Sequence, residues 1–325
     1  MGAREHYMET EAKMRNRFNH YENIFCTILS RTRLYQGLAL LNSLKKVMGD
    51  DFYIFIHCID EVSYNLLKKM KWKNSKLIRE KKLPRKIVLL KNERKVHEYC
   101  WTLKPVICEF VLRKYTFINR ITYLDSDLYF WGDPRGIFLN QHDCSVLLSI
   151  EEKYSPRANQ SIQRRSKITG LYNSGFISFK QDEMGLRGVT WWKERCLENC
   201  KIAPEEGVFG DQKYLDELPG LFPGICDITT PGVNVGPWNE LKYQFSNADG
   251  LIRMDDQLLI FYHFSGIRVT GKNKIQSVNR MNPSKRPFLY QIYYEAINEA
   301  IDLVEKIDPT FNGFADEVDL QKYWN

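Results

Sequence analysis

The sequence predicts an α/β protein: a mostly parallel sheet flanked by helices, followed by a C-terminal helical tail. Two observations predict it. Short apolar runs of strand length alternate with longer stretches whose apolar residues recur at helical spacing. The composition, 43% hydrophobic and 27% charged over 325 residues, is that of an ordinary globular protein, which excludes a disordered, collagenous or membrane-embedded chain. A chain of this length also buries enough surface to fold without a disulfide or metal staple.

The elements follow in order. Ile24–Leu29 reads as a strand and Leu34–Val47 as a helix. Phe52–Ile59 reads as the second strand, Val62–Met70 as a helix and Lys86–Leu90 as the third strand. Trp101–Tyr115 is a helix and Arg120–Leu124 a fourth strand, so the spacing is that of βαβ units. Beyond residue 130, Cys144–Ile150 and Gly175–Phe179 read as strands and Met184–Cys200 as a helix. Residues 219–240 hold four of the twelve prolines and predict turns. Leu258–Phe264 is one further apolar strand. Arg268–Pro287 is basic and polar and reads as a mobile connector, and Phe288–Lys306 as a closing amphipathic helix. The domain expectation is therefore a catalytic domain over 20–267, with halves of about 20–130 and 131–267. A connector and helical tail follow over 268–325.

The net charge of +7 is uneven: Lys68 to Lys95 holds thirteen Lys or Arg against Glu80 and Glu93, a local +11. That density suits phosphates or an anionic membrane surface, and a solvated face remains the alternative. It does not predict a nucleic-acid binder. Eight cysteines show no CxxC pair, and Cys26, Cys58 and Cys108 sit in apolar runs as small buried hydrophobes. Cys196 and Cys200 are read as structural, and the whole set as belonging to a reducing compartment. The first twenty residues carry no apolar signal core, and His6 stands where a myristoylation motif needs Ser or Thr. The expectation is a cytoplasmic protein, held at a membrane only peripherally.

Chemistry concentrates in ITYLDSDLYFWGDP, residues 121–134, where an apolar strand ends in Asp125 and Asp127. Ligands in open α/β sheets bind beyond the carboxyl ends of strands. Two carboxylates there converge on a hard cation, Mn2+ first and Mg2+ second, which completes its shell with substrate phosphates. A surface turn with solvated acids, and the aspartyl-phosphate motif of haloacid-dehalogenase-like phosphatases, are the alternatives. His263, at the end of LLIFYHFSG (258–266), is a third candidate ligand, or a satisfied core histidine. Gly266 would let backbone approach a phosphate. LYNSGFISF (171–179) offers Asn173, Ser174 and Gly175 just before a strand. FGDQKYLDELP (209–219) offers Asp211 and Gln212 at a helix start, where Asp211 could equally be an N-cap.

Together these motifs resemble nucleotide-sugar glycosyltransferases of the GT-A fold, a Rossmann-like sheet. They are similar to glycosyltransferase family 8 and to related bacterial polysaccharide glycosyltransferases, from about Ile24 to Gly266. The resemblance implies that Asp125 and Asp127 of YLDSDL, with Ser126, meet metal and diphosphate, and that His263 completes the metal set. It implies donor-sugar contacts for Asn173, Ser174 and Gly175, and a catalytic place beside the reacting carbon for Asp211 and Gln212 of GDQ. Residues 27–46 resemble the first nucleotide-binding turn and helix, with Thr27, Ser30 and Tyr35 toward the donor. Lys104 of WTLKP falls where the family places a basic residue near the donor. His263 and Gly266 match the start of an HxxGxxKPW signature, but Val269 stands at its Lys, which leaves that work to Arg268 or Lys272. Lys213 stands where a DQD motif would close.

The implied activity is metal-dependent transfer of a sugar from a nucleoside diphosphate, UDP first, to a glycan or lipid-linked hydroxyl, with retention. In an inverting reaction Asp211 would be the general base. A sugar nucleotidyltransferase is the other enzyme reading, though ILSRTRLYQG lacks its Gly-rich loop. A catalytically inactive sugar-binding or scaffold protein is the reading from another class.

Overall fold

The computed structural model describes residues 21–154, 159–278 and 288–317. The readings made on the first twenty residues, on 279–287 and on the last eight residues lie outside them. In chain order the elements are β1 Ile24–Leu29, α1 Leu34–Met48, β2 Tyr53–Cys58, α2 Glu61–Met70, β3 Ser75–Arg79 and α3 Arg85–Leu89. Then come α4 Val96–Lys114, β4 Arg120–Leu124, β5 Leu128–Phe130, α5 Arg135–Asn140, β6 Val146–Ile150 and α6 Asn159–Thr169. They continue with β7 Tyr172–Lys180, α7 Glu183–Glu198, β8 Ile202–Ala203, β9 Val208–Phe209, α8 Leu218–Leu221 and β10 Ile225–Asp227. The last are β11 Phe245–Ala248, β12 Leu251–Met254, β13 Gln257–Leu258, β14 Phe261–His263, β15 Ile267–Gly271, β16 Lys274–Ser277 and α9 Leu289–Ile307.

Seven strands make the central sheet in the order β10-β6-β7-β4-β1-β2-β3. All run parallel except β7, which is antiparallel to both β4 and β6. β1 is buried along its whole length, which is why its sequence is a continuous apolar run rather than an alternation. Its pleat still sorts the two cores: Phe25 and Leu29 face one, Ile24, Cys26 and Ile28 the other. The first core takes the apolar stripes of α1, α2 and α9, and the second those of α4 and α7. α1 ends at Gly49, whose φ of 64° ends the helix in a conformation costly for other residues. Asp60 caps α2 by accepting the Ser63 amide at 2.7 Å. α9 buries Leu289, Tyr293, Ala296, Ile297, Ala300, Ile301 and Val304, so the tail helix shares the first core.

Several expectations are corrected. Lys86–Leu90 is not a strand: Pro84 precedes a helical turn over Arg85–Leu89, and the third strand is Ser75–Arg79. It escaped notice because it is an edge strand in which Ile78 alone is fully buried. Leu258–Phe264 is split, since β13 pairs with β12 and β14 pairs with β5. The Ile260 carbonyl between them accepts both the Trp131 and Gly132 amides, which turns the chain from one partner to the other. The described part of the connector is a hairpin, β15 against β16. The cysteines are not all free: Cys144 and Cys226 form a disulfide between the starts of β6 and β10, neighbours 82 residues apart. The other six are free thiols. Among the described residues, no helix is long and apolar enough to cross a membrane.

His57 lies in β2 between Ile28 and Ile78, fully buried. Burial, reinforced by the charge of Lys91, lowers its pKa to about 3. Above pH ~6.5 the imidazole is neutral folded and unfolded alike. Below that, the unfolded chain binds a proton that the folded chain refuses, so stability falls by up to ~1.4 kcal/mol per pH unit toward pH 3. His57→Leu should remove ~2 kcal/mol of the stability lost between pH 7 and 5, measured by urea denaturation. Identical acid slopes in the two proteins would refute the assignment.

Candidate active site

The sheet's carboxyl edge gathers the motifs. β4 ends at Leu124, and Asp125, Ser126 and Asp127 make the turn into β5. β14 returns antiparallel along β5 and sets His263 opposite Leu128, beside that turn. The Phe264 amide donates to the Asp127 carbonyl at 2.8 Å and fixes the register. His263 Nε2 therefore lies 3.1 Å from an Asp127 oxygen and 3.8 Å from an Asp125 oxygen. One ligand atom from each of the three residues falls within 4.8 Å of the others. Two carboxylates and an imidazole, largely out of water, suit a divalent cation of the manganese or magnesium type. Burial opposes the charge on both partners, yet each overcomes it through the other: Asp127 lies well below the usual carboxylate range and His263 above the usual imidazole value.

Behind this cluster stands a buried ammonium. Lys104, two turns into α4, reaches Asp125 at 3.1 Å, Asp211 at 3.3 Å and the Ser174 hydroxyl at 3.0 Å. Burial disfavours its charge, but the two carboxylates outweigh that and hold its pKa above the ordinary lysine value. The Tyr123 hydroxyl donates to the other oxygen of Asp125 at 3.0 Å. Asp211 is buried, which raises its pKa against the pull of Lys104, and its carboxylate faces that lysine rather than capping the turn at Lys213–Glu217.

A second network holds Gln212. Its amide nitrogen donates to Glu151 at 2.8 Å and to the Thr169 carbonyl at 2.9 Å, and its oxygen accepts from Asn173 at 3.3 Å. Lys153 pairs with Glu151 at 3.4 Å and donates to the Gly170 carbonyl. Asn173, Ser174 and Gly175 lie within β7, not before it. Gly175 is needed by geometry: a Cβ there would sit 2.5 Å from the His263 ring and 2.8 Å from the Asn173 side-chain oxygen.

The structure thus brings together Lys104, Asp125, Asp127, Ser174, Asp211 and His263, with Gly175 against them and Asn173 bonded to Gln212 alongside. Ser126 is buried within the Asp125–Asp127 turn, and Gly266 makes its positive-φ turn three residues after His263. Ser30 lies just past β1 with its hydroxyl near that of Thr32, while Thr27 is wholly buried inside the strand. Tyr35 packs against Phe311 and Phe314, and its hydroxyl accepts the Gly313 amide. Arg268, on β15, is an electrostatic neighbour of His97 at the start of α4. Lys272 stands apart on the surface, ion-paired with Asp302 and with Glu305 of α9.

Sequence reasoning missed Arg33, Glu151 and Lys153. Arg33, in the turn after β1, lies 3.7 Å from Asp127 and donates to the Ile267 carbonyl. Glu151 follows β6 directly, the same signal of an acid just past an apolar strand that marks Asp125.

No family model matches the chain. The uncharacterised protein YfnF of Bacillus subtilis strain 168 is 47% identical over 298 residues, spanning 91% of this chain and 98% of its own. YfnD of the same strain is 30% identical over 296 residues, spanning 90% and 93%. Among solved structures, the galactosyltransferase LgtC in complex with donor and acceptor sugar analogues is similar at a TM-score of 0.55. That match has 12% identity and covers 85% of this chain and 95% of LgtC. The glycosyltransferase GlyE of Streptococcus pneumoniae TIGR4 is similar at 0.52, with 14% identity over 88% of this chain and 64% of GlyE. The sheet with its single reversed strand is thus the GT-A glycosyltransferase fold, and the chain belongs to the family of YfnF and YfnD.

Proposed function

We propose that the protein is a metal-dependent glycosyltransferase. It moves a sugar from a nucleoside diphosphate, UDP first, to a hydroxyl of a glycan or lipid-linked acceptor, in polysaccharide synthesis and with retention. The observation that carries this reading is the Asp125–Asp127–His263 cluster, which lies at the carboxyl edge where such sheets bind ligands. Those three residues would hold the cation, Mn2+ ahead of Mg2+, which when bound offsets the charge that grows on the leaving diphosphate.

The chain's own groups do the rest. Lys104 holds Asp125 in one orientation and neutralises part of the carboxylate charge, so the site is not left with bare acids when the donor is absent. Gly175 leaves room for the His263 ring. Gln212 presents its carboxamide in one pose because Glu151, Thr169 and Asn173 use its bonding groups. Such fixed placement is worth up to about a hundredfold in rate. Asp211 is buried and engaged by Lys104, a poor position from which to take a proton from an acceptor hydroxyl, and this favours retention over inversion. LgtC, whose structure holds donor and acceptor sugar analogues, supports the same substrate classes.

Asp127→Asn should lower manganese-dependent donor hydrolysis by at least about a hundredfold, and a chelator should abolish it in the wild type. Full activity in either case would sink the metal reading. Glu151→Ala should cut turnover about tenfold with donor KM nearly unchanged, since it frees Gln212 without touching the metal ligands. A rise in KM alone would instead make Glu151 a binding group. Lys104→Met strands two carboxylates and should destabilise the fold by ~3 kcal/mol in urea titrations. Adding Asp211→Asn should return part of that loss, and simple additivity of the two changes would deny the coupling.

A further inference from the structure

We propose that the basic segment between β3 and α4 is a docking surface for an anionic lipid bilayer. This deepens the transferase reading, on which it rests, by assigning the acceptor to the membrane surface.

The thirteen cations between Lys68 and Lys95 do not form one patch. Lys69 pairs with Asp308, Lys76 lies over the Tyr115 ring, and Arg79 pairs with Glu61 over the Tyr64 ring. Lys91 holds Glu80 and the Ile59 carbonyl, and Arg94 donates to the carbonyls of Cys196 and Leu197. These are internal ties. Lys68, Lys71, Lys73 and Lys95 are exposed and form no ion pair among the described residues, and Lys81, Lys82, Arg85 and Lys86, likewise exposed and without an ion pair, are grouped in one short stretch.

Position makes these four informative. β3 runs parallel to β2, β1 and β4, so the chain beyond Arg79 leaves the sheet at the same edge as Asp125. α4 starts from that edge and carries Lys104 back to Asp125. The segment therefore leaves from the same edge of the sheet as the transfer site, three strands away from β4. It is firmly seated, because Leu83 and Ile87 are buried in the second core. Leu89, 45% exposed, shares a helix face with Arg85 and Lys86, and Val96, 63% exposed, follows Lys95. A soluble polyanion would satisfy the cations and leave these apolar side chains in water. An anionic bilayer satisfies both, with cations at the headgroups and apolar side chains at the acyl boundary.

Vesicle co-sedimentation tests this. Vesicles of phosphatidylcholine with about a third phosphatidylglycerol are compared with phosphatidylcholine alone, from low salt to 1 M, where the Debye length falls to about 3 Å. The wild type should pellet with the anionic vesicles at low salt and be released at high salt. Each lost cation should weaken binding roughly fivefold, so Lys81→Glu, Lys82→Glu, Arg85→Glu and Lys86→Glu together should abolish it. Leu89→Ser with Val96→Ser should weaken it severalfold. These exposed changes should leave the melting temperature and soluble donor hydrolysis unaltered. Asp127→Asn should pellet like the wild type, so failure of the docking idea and failure of the transferase reading remain separable. The proposal is overturned if the wild type stays in the supernatant at low salt, or if the four-residue variant still pellets. Undiminished binding by the Leu89→Ser, Val96→Ser protein, with inorganic polyphosphate displacing it, would assign the segment to a soluble polyanion instead.

Discussion

The Lys104 ammonium, buried between Asp125 and Asp211, is the constraint on which the rest of the site depends. A charge taken out of water costs several kcal/mol unless opposite charges and hydrogen bonds meet it with good geometry. Here two carboxylates and the Ser174 hydroxyl do so. The three come from the end of β4, the segment after β9 and the start of β7, so satisfying one lysine ties three distant stretches of chain together. Helix α4 can deliver that lysine because Ile107 and Val111, one and two turns further along the same face, and its neighbour Leu103 are buried in the second core.

Around this tie the metal-ligand cluster is set by backbone pairing. β5 is only three residues long, and its antiparallel partner β14 is as short, yet this pair decides that His263 meets Asp127. A register slip of one residue would send the imidazole to the opposite face. Gly175 from β7 completes the fit by leaving the volume that the ring occupies. The site thus combines a rigid sheet edge with one short ladder and one missing side chain.

The same economy governs the surface charge. A stretch that is uniformly basic in sequence divides into cations that brace loops and cations that face water. Arg94 illustrates the first kind, since it joins the start of α4 to the end of α7 through backbone carbonyls. Arg85 illustrates the second, held outward because Ile87 on the opposite face of its short helix is buried.

The sequence by itself determined the alternation of strands and helices, because continuous apolar runs and helical periodicity are local consequences of burial on both faces of a sheet. It also marked Asp125, Asp127 and His263, since acids and a histidine at the ends of apolar strands stand out without knowledge of their neighbours, whereas Asp211, read at a helix start, was singled out only by the family resemblance. The edge strand Ser75–Arg79 was illegible because only one of its residues is fully buried. The division of Leu258–Phe264 was illegible because its two halves pair with strands far apart in sequence. Only the tertiary structure decided that Lys104 neutralises Asp211, that Glu151 and Lys153 orient Gln212, and that Cys144 reaches Cys226. Each joins residues tens of positions apart or more, or depends on a carboxylate's direction. Such pairings are fixed by how the sheet's strands are ordered, which no local pattern of side chains records.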